Sequence, residues 1–484
     1  MLPIRPMKKL FLLLYFGLFI SSCQEKEENK PNFVFILVDD LGWADVKANY
    51  PETFYETPYL DQMAAEGMRF TQAYAAHPVC SPTRAALMTG KHPNRLGITD
   101  WIPGFDKFEA KRPISTPVIS DELALEETTL AEKLKGNGYN TFFIGKWHLG
   151  EEEKYWPQHQ GFDKNIGGWR VGAPQLKDGL SNGYYSPYGN PRLPDGPEGE
   201  YLTDRLTEES LQLIRENSEE PFLLYLSFYS VHTPIQAAPK RHDYFINKKE
   251  NIKLSKGQAA YRQEGDGQTK LIQDNAAYAS MVTAMDENVG KILKELTDKG
   301  LDDNTWVILT SDNGGLSTLY GEGAPTANGP LRAGKGWCYE GGIRVPLIIK
   351  GPGIKMPGKV YDLPVVSMDF FPTLLSMAGI NFEETDGKDL SSFLEGGDAP
   401  EREVLFWHYP QYHGSAWKPG SAIREGDWKL IHDYESGENK LFNLENDPGE
   451  KKDLANSMPD KTMALHGKLM MELKNTGGKF PTTK

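Results

Sequence analysis

The sequence has little cysteine: Cys23, Cys80 and Cys338 are the three in 484 residues. That is too few for a disulfide framework, so the fold must rest on a hydrophobic core. Long apolar runs are also scarce, and the one at residues 10–20 is too short to span a bilayer comfortably. Positive charge is in deficit. The 53 Lys and Arg face 67 Asp and Glu, a net charge of −14, which argues against nucleic acid as a partner. It does not exclude an anionic substrate, because a few cations in a cleft dominate the local field. With 39% hydrophobic and 25% charged residues and no evident internal repeat, the composition is that of a folded globular protein.

Residues 1–22 read as a secretory signal peptide, with Arg5, Lys8 and Lys9 ahead of the apolar run. Ile20-Ser21-Ser22-Cys23 resembles a bacterial lipobox, which implies cleavage before Cys23, lipid attachment to it, and anchoring in the periplasm, the outer membrane or the cell surface. Without those three basic residues the balance is 50 against 67, a charge of −17. Residues 23–31 are then a solvated tether. The expected organisation is a large unit over 32–400 and, after a Gly/Glu-rich stretch, a smaller unit over 401–484.

Apolar runs at 33–38, 222–229 and 306–310 suggest strands buried on both faces, which is the pattern of an α/β fold with a large, mostly parallel mixed sheet between helices. Each run ends in polar residues: Asp39-Asp40, Ser230-Val231-His232 and Asp312-Asn313. A further strand over 139–145 delivers Lys146-Trp147-His148, where a spacing of two predicts one shared face. Ligands bind outside the carboxyl ends of such strands. Adjacent carboxylates without a cation repel, so Asp39 and Asp40 point to a hard metal, although turn formation explains them alone. Asp312-Asn313-Gly314-Gly315 by itself is a turn. Residues 99–126, 151–203 and 240–270 read as surface excursions, and 271–299 as a long helix. Short antiparallel strands are expected near 404–409, 421–424, 428–432 and 440–443, then a helix over 460–473.

The most informative stretch is residues 77–97. Ser81 fits a helix N-cap and Pro82 the first helical position, so Cys80 falls at a helix N-terminus that favours negative charge. A lone cysteine is otherwise a packed small residue, the reading that also suits Cys338. A phosphatase-type thiolate loop fails on spacing, because Arg84 lies four residues after Cys80 and position 86 is Ala. What fits is Cys80-x-Pro82-x-Arg84 followed by Ala85-Ala86-Leu87-Met88-Thr89-Gly90. This run resembles the signature of the type I sulfatases. Gly145-Lys146-Trp147-His148-Leu149-Gly150 resembles their second signature, and the segments 425–430 and 441–450 resemble their C-terminal subdomain.

The resemblance implies an alkaline-phosphatase-like fold and a sulfuric ester hydrolase. It implies that a formylglycine-generating enzyme oxidises Cys80, and that the hydrated aldehyde attacks sulfur and later expels sulfate. Asp39, Asp40, Asp312, Asn313 and an oxygen of modified Cys80 would bind one calcium ion. Arg84, Lys146 and Lys335 would stabilise sulfuryl charge, His148 would hydrogen-bond the diol, and His232 would protonate the leaving oxygen. The expected substrate is a sulfated saccharide attacked at a chain end. Trp101, Trp169 and Arg170 are candidate contacts, although packing of the loops explains the aromatic residues equally well. Two other readings stand beside it: a phosphodiesterase or phosphonate-ester hydrolase of the same superfamily, and a non-catalytic glycan-binding lipoprotein.

Overall fold

The computed structural model describes residues 30–104, 112–177, 180–253 and 257–484. The signal segment and Cys23 lie outside the described residues. Residues Pro31–Lys484 form one unit.

Its centre is a nine-stranded mixed sheet built from β1 (Asn32–Val38), β2 (Met68–Tyr74), β3 (Asn140–Gly145), β4 (Lys164–Ile166), β5 (Phe222–Phe228), β6 (Thr305–Ser311), β7 (Arg344–Lys350), β8 (Lys359–Tyr361) and β9 (Val365–Val366). The order is β8-β2-β7-β6-β1-β5-β3-β4, with β9 also on β2. Alternation along β1 explains its all-apolar run. Val34, Ile36 and Val38 face a core containing Met281, Met285 and Val289 of the helix Ala276–Asp298. Phe33, Phe35 and Leu37 face a second core containing Leu87 and Phe371.

Register and direction decide what meets at one edge. Val38 pairs with Ser311 on one side and Phe228 on the other, so the chain leaves β1, β6 and β5 at one level. β7 is antiparallel to both β6 and β2. That reversal makes β2 co-directional with β1, so the segment after β2, which holds Cys80, emerges at the same edge. It also means that the residues entering β7, including Lys335, arrive there.

The helix Cys80–Thr89 begins two residues earlier than the N-cap reading of Ser81 suggests, with Val79 as its cap residue. Ser81 does different work. Its hydroxyl donates to His148 O at 2.9 Å and accepts from Ile102 N at 3.1 Å, tying the Cys80 helix to two neighbouring loops. Pro82 sits in the first turn, where its missing N–H leaves no hydrogen bond unmade. Gly90 ends the helix at φ 67, where a Cβ would meet Phe371 at 2.9 Å.

The excursions are more ordered than their composition suggests. Ile102 and Leu123 are core residues of 99–126. Within 240–270, a helix over His242–Glu250 buries Phe245, and the hairpin Tyr261–Glu264/Gly267–Lys270 adds Thr318–Leu319 as a third strand. Tyr184 and Tyr188 of 151–203 are buried in the first core, so packing accounts for those two rings. The C-terminal sheet runs over Leu405–Tyr409, Gly420–Glu425, Trp428–Asp433 and Asn439–Asn443 and packs against the helix Pro459–Asn475.

Candidate active site

Cys80 lies at the first position of its helix, and Arg84, one turn on, shares its face. The guanidinium of Arg84 joins three strand ends. Its Nε and Nη2 donate to Asp312 Oδ2 at 2.9 and 2.7 Å, and its Nη1 donates to Lys146 O at 2.8 Å and Ser227 Oγ at 2.7 Å. Lys146 Nζ reaches Asp39 Oδ2 at 2.7 Å. Lys335 Nζ lies 2.7 and 2.9 Å from the two oxygens of Asp40 and 3.4 Å from Cys80 Sγ. Cys80 Sγ stands 3.7 Å from Asp39 Oδ1, and His232 Nε2 stands 3.8 Å from Asp40 Oδ2. The structure thus gathers ten residues expected from the sequence, with Asn313 donating to Asp40 Oδ1 at 2.8 Å and His148 flanking Ser81.

Strand alternation is not what brings Lys146 and His148 together. Gly145 turns at φ 99 and His148 sits at φ 61, so the extended pattern has already ended. Lys146 points to Asp39, whereas His148 Nε2 bonds Ile102 O at 2.6 Å. His148 Nδ1 is buried with no hydrogen-bond partner among the described residues. With Nε2–H as the donor, Nδ1 carries a lone pair. Burial and the nearby Lys146 and Arg84 charges hold this imidazole neutral, well below its ordinary pKa.

The charges here are matched in pairs. Burial and Asp312 push Asp39 well above the usual carboxylate range. Burial also opposes ionisation of Asp40 and Asp312, but Lys335 with His232 and Lys146 at the first, and Arg84 with Lys146 and Lys335 at the second, together outweigh it and hold both low. Lys335 is raised because Asp40 and Cys80 outweigh its burial. His232 is lowered by burial and by Lys335.

The donor set fits a hard cation. Asp39, Asp40, Cys80 and His232 each offer a ligand atom, all within 4.8 Å of one another. Asp312 Oδ1 faces the same loop, accepting from Asp40 N at 3.2 Å. Asn313 Oδ1 is buried with no hydrogen-bond partner among the described residues, an acceptor left over where a cation would use it.

Above this cluster opens a cavity of about 460 Å³. Trp101 and Arg170 line it, and Arg170 Nη1 is 3.4 Å from the exposed Glu151. Trp169 is not among the lining residues; it packs half-buried against the second core. Sequence reasoning missed His413 and Ser415, which line the cavity from the segment between the first two C-terminal strands. Their imidazole Nδ1 and hydroxyl lie 2.7 Å apart, and Ser415 O accepts from Trp337 Nε1 at 2.8 Å. A His-Gly-Ser tripeptide carries no sequence signal for that role. Ser227 was missed too, since it sits inside the apolar run of β5.

Cys338 is fully buried, and burial pushes its thiol up to about 12, which makes it an inert packed residue.

Comparison with known proteins bears on the chain as a whole. The sulfatase family model matches residues 31–380, and the model for the C-terminal region of N-sulphoglucosamine sulphohydrolase matches residues 333–477. A sulfatase of Formosa agariphila is 31% identical over 97% of this chain and 93% of its own length. The mouse N-acetylgalactosamine-6-sulfatase is 33% identical over 78% of this chain and 68% of its own. The crystal structure of Ps i-CgsB in complex with k-i-k-neocarrahexaose superposes with a TM-score of 0.74 at 29% identity, covering 93% of this chain and 95% of that one. With the signature cysteine, its paired cations and the carboxylate cluster meeting at one sheet edge of an alkaline-phosphatase-like fold, the chain belongs to the sulfatase family and is a sulfuric ester hydrolase.

Proposed function

We propose that the protein removes sulfate from sulfated carbohydrates at chain ends, with Cys80 matured to formylglycine by a dedicated enzyme and one calcium ion held by Asp39, Asp40, Asp312, Asn313 and the modified Cys80. The observation that carries this reading is Lys335 bridging Asp40 and Cys80 at the floor of the cavity, where an ester oxygen leaving sulfur would need charge. Sugar as the substrate is supported by the relatives named for N-acetylgalactosamine 6-sulfate and the neighbour bound to a neocarrahexaose.

A hydrated formylglycine at residue 80 would supply a hydroxyl nucleophile and a second hydroxyl from which sulfate could be released as the aldehyde re-forms, and a calcium ion on the five residues named would supply positive charge. The chain's own side chains do the rest. Arg84 and Lys146, fixed on Asp312 and Asp39, present oriented N–H donors around the attacking position. Neutral His148 offers its free Nδ1 lone pair as a proton acceptor. Lys335 remains charged and stabilises the departing oxygen. His232 Nδ1 bonds Thr233 O at 2.7 Å, so its Nε2 faces Asp40 and must take up a proton before delivering one. Walls at 101–103, 170–175 and 413–415 favour a terminal residue over a chain interior. Export as a lipoprotein anchored through Cys23, in the periplasm or at the cell surface, places the enzyme among extracellular polymers.

The test is sulfate release from sulfated oligosaccharides of defined sequence, intact polysaccharide, an aryl sulfate and a phosphodiester, with peptide mass spectrometry of residue 80. Terminal desulfation with formylglycine at 80 is expected. Preference for the aryl sulfate over every saccharide sinks the substrate reading, internal release sinks the chain-end reading, and full activity with unmodified cysteine sinks the mechanism.

A further inference from the structure

Two C-terminal motifs have no part in the chemistry so far: the segments 425–430, Glu-Gly-Asp-Trp-Lys-Leu, and 441–450, which ends in Asp-Pro-Gly-Glu. The fold brings one charged residue of each to a single buried point. Lys429 is fully buried, and its Nζ lies 2.9 Å from Glu340 Oε1 and 2.8 Å from Glu450 Oε1. Both carboxylates are fully buried as well.

Glu340 opens the short helical turn Glu340–Ile343, immediately downstream of Lys335 and immediately before β7. Glu450 Oε2 accepts from Glu340 N at 2.7 Å, and Glu450 O accepts from Arg332 Nη1 at 2.6 Å. The other oxygen of Glu340 accepts from Tyr74 OH at 2.8 Å. The segment 332–344 is therefore gripped on both sides of Lys335. Between those grips, Lys335 N donates to Gly315 O at 3.0 Å and Gly336 N donates to Pro78 O at 2.8 Å.

The turn also presses on the metal-side loop. Gly314 N donates to Gly342 O at 2.9 Å, and a Cβ at Gly314 would stand 1.9 Å from Gly341 O. Asn313 is the next residue. A shift of the Glu340 turn moves Lys335 on one side and Asn313 on the other. A buried ion pair is weak evidence for stability, since apolar packing often serves as well. Its value here is placement.

We propose that Lys429, clamped between Glu340 and Glu450, is a positioning residue for the sulfatase reaction that sets where Lys335 and Asn313 stand. The proposal rests on the reading of Lys335 as the group facing the departing oxygen. The C-terminal sheet is then part of the catalytic apparatus although only its 413–415 connection reaches the cavity.

The experiment uses calcium-loaded, formylglycine-bearing protein and a series of aryl sulfates of graded leaving-group pKa. Glu450→Gln keeps an amide oxygen for Glu340 N and removes one charge; Lys429→Met removes the centre. Circular dichroism melts establish the folded fraction, and Glu450→Gln decides if Lys429→Met does not fold. The expected result is a fall in kcat of about 10- to 100-fold, steeper for poorer leaving groups, with KM changed less. A purely structural role lowers every substrate by one factor. Lys335→Ala is the reference. If it steepens the leaving-group dependence and the clamp variants do not, the clamp is overturned alone. If Lys335→Ala itself leaves the dependence flat, the reading of Lys335 falls and the clamp with it.

Discussion

The segment 332–344 carries a buried charge cluster at each end, one around Lys335 and one around Glu340, and they are built by opposite rules. At the Lys335 end, Asp40 and His148 sit at φ 60 and 61, and Asn313 Oδ1 and His148 Nδ1 are buried without hydrogen-bond partners among the described residues. At the Glu340 end both oxygens of Glu340 and Glu450 Oε2 accept hydrogen bonds, and Glu450 Oε1, which accepts none among the described residues, lies 2.8 Å from the Lys429 ammonium. Lys429, with Arg344 and Arg424, outweighs burial and holds Glu340 down at about 2, whereas burial pushes Glu450 up to about 7. Spare acceptors and positive backbone φ angles collect where the proposed substrate and ion would be received. Satisfied pairs collect where the chain must only stay in place.

That difference predicts opposite outcomes from single substitutions. Cys80→Ala at the open end lowers kcat by at least about 10⁴-fold with a melting temperature near wild type. Glu340→Ala at the sealed end costs about 3–5 kcal/mol of stability, because Lys429 loses a buried partner. Paired melts and turnover numbers check both. Equal destabilisation by the two would break the comparison.

The next effect is calcium. If the spare acceptors are there for an ion, calcium at a hundredfold excess over its Kd stabilises the folded protein by about 2.7 kcal/mol. Asn313→Ala reduces that increment, and the chelated protein measures separately the cost of losing the amide's hydrogen bonds to Asp40 Oδ1 and Gly314 O. Thermal melts with chelator, calcium and magnesium measure it. An increment unchanged in Asn313→Ala removes this residue from the ion site.

His413 extends the open end to the substrate. His413 lines the cavity beside Gly336, and His413→Ala is expected to lower kcat/KM about tenfold on a sulfated oligosaccharide and less on a small aryl sulfate. Equal losses on both esters would place His413 among the groups serving the reaction centre instead.

How much of this was readable beforehand follows from the same contrast. β1, β5 and β6 announce themselves by unbroken apolar runs, and the residues just past their ends were legible as one polar edge. The Cys80 and Lys146 signatures carried the family. The hidden parts depend on partners distant in sequence. Lys335 reaches the site only because β7 runs backwards, and nothing near residue 335 encodes that reversal. Lys429 reads as an exposed strand residue until Glu340, 89 positions away, is folded against it. Trp169 looked like a sugar platform by composition, but the ring packs half-buried and does not line the cavity.

The smallest effect tests whether it is counter-charge, rather than burial as such, that keeps Glu340 ionised. Asp286, on the long helix, is a buried carboxylate with no cation paired with it among the described residues: Oδ2 accepts from Tyr59 N at 3.1 Å and Oδ1 from Leu60 N at 2.8 Å, capping the helix Pro58–Glu66. Burial raises it to about 7, the two amides oppose that rise, and Asp61 and Glu287 add to it. Its folded pKa lies above its ordinary value of 3.8, so the neutral acid is the form that folding favours. The stability this group contributes is fully present below about pH 4 and is lost as pH rises through about 7. Asp286→Asn stays neutral and keeps an oxygen for Leu60 N, so its melting temperature should lack that part of the decline between about pH 4 and 7. The difference between the two profiles should be on the order of 2 °C at pH 8 and vanish at pH 4. Superimposable profiles would mean that two backbone amides hold a buried carboxylate ionised as well as Lys429 holds Glu340, and counter-charge would no longer distinguish the sealed cluster.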